Sequence, residues 1–433
     1  MTKSVKIVDF FMPLKVLHIT YTTSGGAGIA VLRLHKALLE QGIESKVLVG
    51  QTNIVSDDIV KATETMRGRY KVPNIPVLDK IIRALRRKGK CMTPMEKMEF
   101  ELAKLDRKYP AYFDLPLSSF ELEKHPLVAW ADVINIHWIS GYVDFPTFFA
   151  NVKKPVVWTM HDLNPMYGGF HHVRLRDKFY SQYKFLEEYS YSIKRDALDS
   201  VPNLSVVAIS NEMHELVSKH ELFSKKHVYD IPNCIDPNQF SILNKEVVRE
   251  ILGWKLCKRY FLFVNRNLND SEKGLEELAD ALDEISNDDN VLVCVGDGKI
   301  PTRKRLKTIY YHSVNDMIWL NVLYSAADFL VMPSHQESFG FTAVEALYCG
   351  TPVIMSKVGV AETIISDING VLMENTDVSS VVSAINKALS LSYNPENIRQ
   401  LAVDKFNPEK VTKQYMALYE QILDKNHGCY LDI

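Results

Sequence analysis

His335-Gln-Glu-Ser-Phe-Gly-Phe-Thr-Ala-Val-Glu345 runs straight into Ala346-Leu-Tyr-Cys-Gly-Thr-Pro-Val353 and places two carboxylates on either side of a glycine turn. The apolar run Phe329-Leu-Val-Met332 ends at Pro333 and Ser334, so Glu337 is expected in a loop at the C-terminal end of a strand. Gly340 permits the turn, and Thr342 is expected to cap a helix starting at Ala343. Open α/β sheets bind ligands at such strand ends, and a helix N-terminus offers N–H groups to phosphate. Glu337 on the loop and Glu345 in the first helical turn suit the hydroxyl-rich parts of a ligand whose phosphates dock between them. Thr342-x-x-Glu345 also fits a capping box, in which Glu345 serves only its own helix.

The same strand-then-helix pattern recurs along the chain. Lys15-Val-Leu-His-Ile-Thr20 is an apolar run bounded by Ser24-Gly-Gly-Ala-Gly28; an amphipathic helix over 29–40 and the run Lys46-Val-Leu-Val49 complete a βαβ unit. Val133–Ile136, Pro155–Thr159 and Val206–Ile209 read as further buried strands. The pattern restarts at Tyr260-Phe-Leu-Phe-Val264 and continues through Val291–Val295, Phe329–Met332 and Pro352–Met355. Strands alternating with helices imply parallel, doubly wound sheets covered on both faces. The expected fold is α/β with two Rossmann-like domains, a linker near 236–258, and a last helix after Asn407-Pro408 long enough to cross a cleft between them.

A chain of 433 residues exceeds one ordinary core. Its hydrophobic share of 46% and charged share of 24% are those of a soluble globular protein, and a net charge of −2 gives no electrostatic reason to expect nucleic acid. No apolar run reaches the roughly 20 residues of a membrane span, and Met1–Phe10 reads as a short extension rather than a signal peptide. Six scattered cysteines without a C-x-x-C pair fit a reduced, cytoplasmic location. Residues 52–125 lack a clear strand and carry the basic cluster Lys80, Arg83, Arg86, Arg87, Lys88 and Lys90. Interleaved apolar residues make that cluster either a solvated helix face or a contact with an anionic membrane surface.

Several pieces carry chemistry. Gly25, Gly26 and Gly28 after the first strand let backbone approach a ligand or make a structural tight turn. Their spacing is not G-x-G-x-x-G, and the next strand ends Val49-Gly50-Gln51 without the acid that grips the ribose of a dinucleotide. Arg266 and Lys273, following the first strand of the second half, are cations suited to a diphosphate or to a solvated loop. His161-Asp162 ends a strand, where the imidazole suits a sugar hydroxyl or a structural hydrogen bond. No G-x-S-x-G elbow supports serine hydrolysis, and no Asp-x-Asp suggests a divalent cation on a diphosphate.

Taken in order, these elements resemble the retaining nucleotide-sugar glycosyltransferases of family 4, which have the GT-B fold. The resemblance runs from Gly25-Gly-Ala-Gly28 through Ile231-Pro-Asn-Cys-Ile-Asp236, Lys273-Gly274, Gly296-Asp-Gly298 and Tyr324-Ser-Ala-Ala-Asp328 to the Glu337–Glu345 pair and Gly350-Thr-Pro-Val353. Ile134-Asn-Ile-His-Trp-Ile139, Trp158-Thr-Met-His-Asp162 and Gly168-Gly169 are similar to a branch that builds capsule, slime and O-antigen polysaccharide. The resemblance implies an acceptor-side domain over 15–240 with 52–125 inserted, a nucleotide-sugar domain over 255–407, and a helix over 408–426 returning to the first. It implies Glu337 near the transferred sugar, Glu345 on the ribose, and Arg266 and Lys273 on the diphosphate, helped by N–H groups at Phe341 and Thr342. Gly25, Gly26 and Gly28 would approach donor or acceptor, His161 would contact the sugar, and Asp162 and Gly340 would complete the substrate-binding set. The donor would be a UDP- or GDP-sugar and the acceptor a saccharide or lipid-linked oligosaccharide, met in the cytoplasm or at the inner membrane face, with no cofactor and no metal. Cys234, and Val360 within Gly359-Val-Ala-Glu362, stand where the family commonly has glycine. An epimerase or phosphorylase of the same fold, a non-catalytic scaffold and a nicotinamide oxidoreductase are the alternatives.

Overall fold

The computed structural model describes residues 13–428 apart from 69–75, 87, 110–111, 200, 202, 286–288 and 315. The chain forms two parallel sheets. The first contains β1 (Lys15–Thr22), β2 (Glu44–Gln51), β3 (Ile59–Lys61), β4 (Val133–Ile136), β5 (Val156–Met160), β6 (Leu204–Ala208) and β7 (His227–Asp230), in the order β3-β2-β1-β4-β5-β6-β7. The second contains β8 (Arg259–Asn267), β9 (Asn290–Asp297), β10 (Lys307–Tyr311), β11 (Phe329–Met332), β12 (Val353–Ser356) and β13 (Gly370–Met373), in the order β10-β9-β8-β11-β12-β13. In each sheet the first strand sits inside, and the order reverses between it and its fourth: β1 beside β4, β8 beside β11. That is the doubly wound Rossmann arrangement read from the sequence, and the reversal is the switch point where such sheets bind ligands.

The apolar runs form these strands because both faces of each sheet are covered. Along the second sheet, Leu262, Val293 and Leu330 point to one core with Ala343, Val344 and Leu347 of the helix Phe341–Tyr348. Phe261, Leu292, Val331 and Ile354 point to the other, with Leu278 and Leu282 of the helix Leu275–Glu284 and Val381 and Ile385 of the helix Val378–Ser390. Alternation along a strand sends neighbours to opposite faces, and each such fully buried side chain contributes about 1.5–3 kcal/mol. Register pairs Phe329 with Phe261 and Leu330 with Leu262, laying β11 along the first half of β8.

Contacts divide the chain into two compact units: residues 1–159, 163–205 and 416–433, and residues 160–162 and 206–415. His161 and Asp162 therefore group with the second unit. The helix Pro408–Gly428 changes unit between Tyr415 and Met416, and within the first unit the Tyr419 hydroxyl accepts a hydrogen bond from Asn135 Nδ2 of β4 at 2.9 Å.

The stretch 52–125, expected to lack a strand, contributes the short strand β3. It also forms a helix Pro94–Asp106 with a complete Thr93/Glu96 capping box. Within the stretch, Arg67 ties its two ends together through Glu121 and Glu123. In the basic cluster, Arg86 pairs with Glu96, whereas Lys80, Lys88 and Lys90 are exposed; Arg87 and the side chain of Arg83 lie outside the described residues. Among the described residues no helix is long and apolar enough to cross a membrane.

Candidate functional site

Two loops meet at the switch point of the second sheet. After β8 the chain makes a short turn over Ser271–Lys273, which Gly274 ends at φ +70°. A Cβ on Gly274 would lie 2.2 Å from the carbonyl oxygen of Pro333, so only glycine lets this turn rest on the loop after β11. His335 N–H donates to the Glu272 carbonyl at 2.8 Å and fastens the two loops. The result is a contact between residues 64 positions apart: Lys273 Nζ donates to Glu337 Oε1 at 2.6 Å. Ser334 Oγ donates to the same oxygen at 3.0 Å. The Lys273 and Glu337 side chains keep 23% and 16% of their exposure, so water or a ligand reaches both.

The helix behind them starts earlier than the sequence suggests. Gly340, at φ +95°, is its N-cap, and Phe341 and Thr342 form its first turn. Thr342 is therefore not the cap; its hydroxyl lies 3.1 Å from Met332 Sδ. The capping-box reading of Glu345 falls with it, because Glu345 sits a turn further in and accepts from the buried Tyr324 hydroxyl at 3.2 Å. The positive pole of this helix, roughly half an elementary charge, thus begins at Phe341, just beyond the loop that carries Glu337.

Arg266 is exposed in the last residues of β8 rather than in the following loop. It acts electrostatically on Asp297 at the end of β9, whose carboxyl is held below its usual range by the Ser313 N–H, then by His312 and Arg266. His161, directly after β5, is half-buried, and desolvation lowers its pKa to about 4 against the opposing pull of Asp162. At neutral pH it is an uncharged imidazole, a hydrogen-bonding group and not a cation.

Sequence reasoning missed Glu212. Its carboxylate accepts the Gly359 N–H at 2.7 Å, and burial raises its pKa, with Glu362 and Glu337 adding to the rise and the Gly359 bond opposing it. Gly359 in turn lies against the Phe339 carbonyl, and a Cβ there would come within 3.3 Å of Glu337 Cβ. Ser210 caps the helix Asn211–Lys219, so Glu212 reads locally as an ordinary first-turn acid; nothing local announces a partner 147 residues away. Val360 and Cys234 fit their positions. Val360 is buried, has φ −90° and donates its N–H to the Phe339 carbonyl, and Cys234 is buried without a positive φ.

The other candidate glycines, Gly25, Gly26 and Gly28, belong to the first unit. Gly25 opens the helix Gly25–Glu40 at φ +72° and Gly26 faces open space, whereas a Cβ on Gly28 would collide with the backbone of Thr22 and Thr23. Gly28 is thus required for packing of helix on strand. Among the described residues no group of three or more His, Cys, Asp and Glu side chains is arranged to hold a metal ion.

Comparison with known proteins supplies the context of this geometry. Residues 258–390 match the glycosyl transferases group 1 family. The D-inositol 3-phosphate glycosyltransferase of Xylanimonas cellulosilytica is 25% identical over 380 residues, covering 82% of this chain and 81% of that one. Sucrose-phosphate synthase (tll1590) from Thermosynechococcus elongatus has a similar structure, with a TM-score of 0.64 at 20% identity over 95% of this chain and 100% of its own. Anabaena Alr3699/HepE in complex with UDP-glucose gives 0.59 at 15% identity over 94% and 100%. Residues 258–390 are thus similar to the glycosyl transferases group 1 family, in a chain that shares its fold with sucrose-phosphate synthase and HepE.

Proposed function

We propose that this chain is a retaining glycosyltransferase. It moves a hexosyl residue from a UDP- or GDP-sugar to a saccharide acceptor, lipid-linked, in the assembly of capsule, slime or O-antigen polysaccharide. The observation that carries the reading is the Lys273–Glu337 pair, placed at the β8/β11 switch point beside the N-terminal end of the helix Phe341–Tyr348. HepE was solved with UDP-glucose, which supports the uridine donor first.

Breaking the bond between the anomeric carbon and the phosphate oxygen builds positive charge on the sugar and negative charge on the diphosphate. Lys273, with Arg266 able to swing in from β8, and the Phe341 and Thr342 N–H groups meet the negative charge with dipoles already in place. Such preorganised donors are the main source of acceleration in reactions of this kind. Glu337 lies on the side of the transferred sugar. Glu345, held by Tyr324, binds the ribose. His161 is uncharged and hydrogen-bonds a sugar hydroxyl, with Asp162 beside it. The departing phosphate oxygen accepts the proton of the incoming acceptor hydroxyl as the new glycosidic bond forms on the same face. No side chain then needs to act as base, and neither cofactor nor metal enters the step.

A release assay tests this: UDP-, GDP- and ADP-sugars are offered with a membrane lipid extract, and free nucleotide is measured. Release of one nucleotide, lost in Glu337→Ala and in Lys273→Ala, is the expected result. Absence of binding by any nucleotide diphosphate refutes the reading and leaves a scaffold, and stabilisation by NAD alone would point to the oxidoreductase. We place the enzyme in the cytoplasm at the inner membrane face, supported by exposed Lys80, Lys88 and Lys90. Co-sedimentation with phosphatidylglycerol vesicles, weakening as salt rises, is the outcome expected; equal recovery with neutral phosphatidylcholine vesicles would remove the membrane contact.

A further inference from the structure

The first unit has a switch point of its own, where β1 and β4 lie side by side. The chain leaving β4 carries Trp138, and its carbonyl accepts the Tyr21 N–H at 2.8 Å, so the residue is fixed to the end of β1. Around it stands a group of aromatic rings. Tyr112 and Trp138 are nearly parallel, 6° apart in plane with centroids separated by 6.3 Å. Tyr21 flanks Trp138 at 6.0 Å, and His171 lies 4.4 Å from Tyr112 and 5.8 Å from Trp138. Tyr112 is 50% exposed, which is unusual for a tyrosine fastened among other rings.

A polar pair completes the group. His171 is buried and its Nε2–H donates to Asp114 Oδ2 at 2.9 Å. Asp114 is fixed through its backbone N–H, which donates to the Gly169 carbonyl at 3.0 Å, while its carboxylate keeps 31% of its exposure. An ionised carboxylate accepts up to about four hydrogen bonds, and the one from His171 orients it without saturating it. Phe113 and Phe170, the chain neighbours of Tyr112 and His171, are locked in a buried cluster with Tyr183, which fixes the backbone that carries those two rings.

We infer that Tyr112, Trp138, Tyr21 and Asp114 form a saccharide-binding platform for a pyranose ring of the acceptor. The C–H face of a pyranose is apolar and slightly positive, matching the negative face of an aromatic ring. Its hydroxyl edge needs an acceptor such as the Asp114 carboxylate. An exposed Tyr112 ring parallel to the half-buried Trp138, edged by an oriented carboxylate, satisfies both at once. A purely apolar partner would leave that carboxylate unanswered. The assignment of the sugar as acceptor rests on the glycosyltransferase reading; the binding of a sugar here does not.

The test uses the full chain on an array of immobilised oligosaccharides, with UDP and GDP affinity measured in parallel. Wild-type protein should retain at least one class of glycan. Tyr112→Ala should weaken that binding about three- to tenfold, Tyr112→Phe should restore it, and Asp114→Asn should also weaken it, all with nucleotide affinity unchanged. Tyr112 is the first choice because its exposure makes misfolding of the variant a small risk; far-ultraviolet circular dichroism checks this. Nucleotide affinity falling in Tyr112→Ala would mean that a base stacks there and would overturn the assignment. Intact nucleotide binding with no glycan retained would overturn the platform and leave the donor site standing. Glycan retained with no nucleotide bound would keep the platform and remove the glycosyltransferase reading.

Discussion

Lys273 holds Glu337 at 2.6 Å while both remain partly open to solvent. Partly exposed ion pairs of this kind contribute about 0–1 kcal/mol to stability, so the pair is poorly explained as a structural staple. Lys273→Ala should therefore leave the urea midpoint almost unchanged while lowering kcat/KM for the donor by about 10²–10³-fold; a large loss of stability with little loss of turnover would reverse that assignment. His18 behaves in the opposite way. It is fully buried on β1, lies 2.9 Å from His137 Nε2, and burial, with His35 adding, brings its pKa down to about 3. The unfolded chain protonates this residue near pH 6.5 and the native chain does not. Between those values the unfolded state holds the extra proton, so stability falls as pH drops from about 6.5 towards about 3, by at most about 1.4 kcal/mol per unit. Unfolding curves at about pH 7 and about pH 5 should show this slope, and His18→Gln should flatten it.

At the scale of elements, the loop Lys357–Val360 owes its place to a carboxylate from another helix. Glu212→Ala removes the acceptor for the Gly359 N–H, and an unsatisfied buried donor costs about 1–3 kcal/mol. Glu212→Gln keeps a carbonyl oxygen in the same position. Donor KM should accordingly rise several-fold in the alanine variant and stay near wild type in the glutamine variant; equal behaviour of the two would show that the charge matters and not the bond. This contact also marks the limit of what the sequence discloses. Central strands such as β8, β9 and β11 are continuous apolar runs, because burial on both faces leaves no polar position, and they are plain to read. The edge strands β3, β7 and β10 are partly exposed and mix charged with apolar residues, and they are silent, as is the mostly buried four-residue edge strand β13. Glu337 could be placed in its loop, since proline and glycine bracket it. Its bond to Lys273 depends on the β8/β11 register, which no local pattern encodes. Thr342 misled because a threonine before an apolar run imitates a cap, while Gly340 took that position through a left-handed φ.

Across the whole molecule, one helix serves both compact units. Pro408–Tyr415 groups with the second, and Met416 onward groups with the first, where Tyr419 is buried and bonded to Asn135. Ending the chain before Met416 uncovers Asn135 and removes the buried Leu418 and Tyr419, each worth about 2–5 kcal/mol when deleted from a core. Such a truncation should lower the melting temperature of the first unit more than that of the second, so that differential scanning calorimetry shows two transitions. A single unshifted transition would mean the helix is dispensable.

The resting contact of Lys273 with Glu337 has a further effect on how a donor arrives. On the proposed reading, an incoming diphosphate meets an ammonium already bonded to a carboxylate and takes its place on Lys273 in exchange with Glu337. The exchange frees Glu337 on the side where the proposed reading puts the transferred sugar. Until that swap, the two reactive groups silence each other, and small inorganic anions must outcompete a tethered carboxylate to settle there. Without a ligand the proposed site is in this sense stoppered by its own side chain.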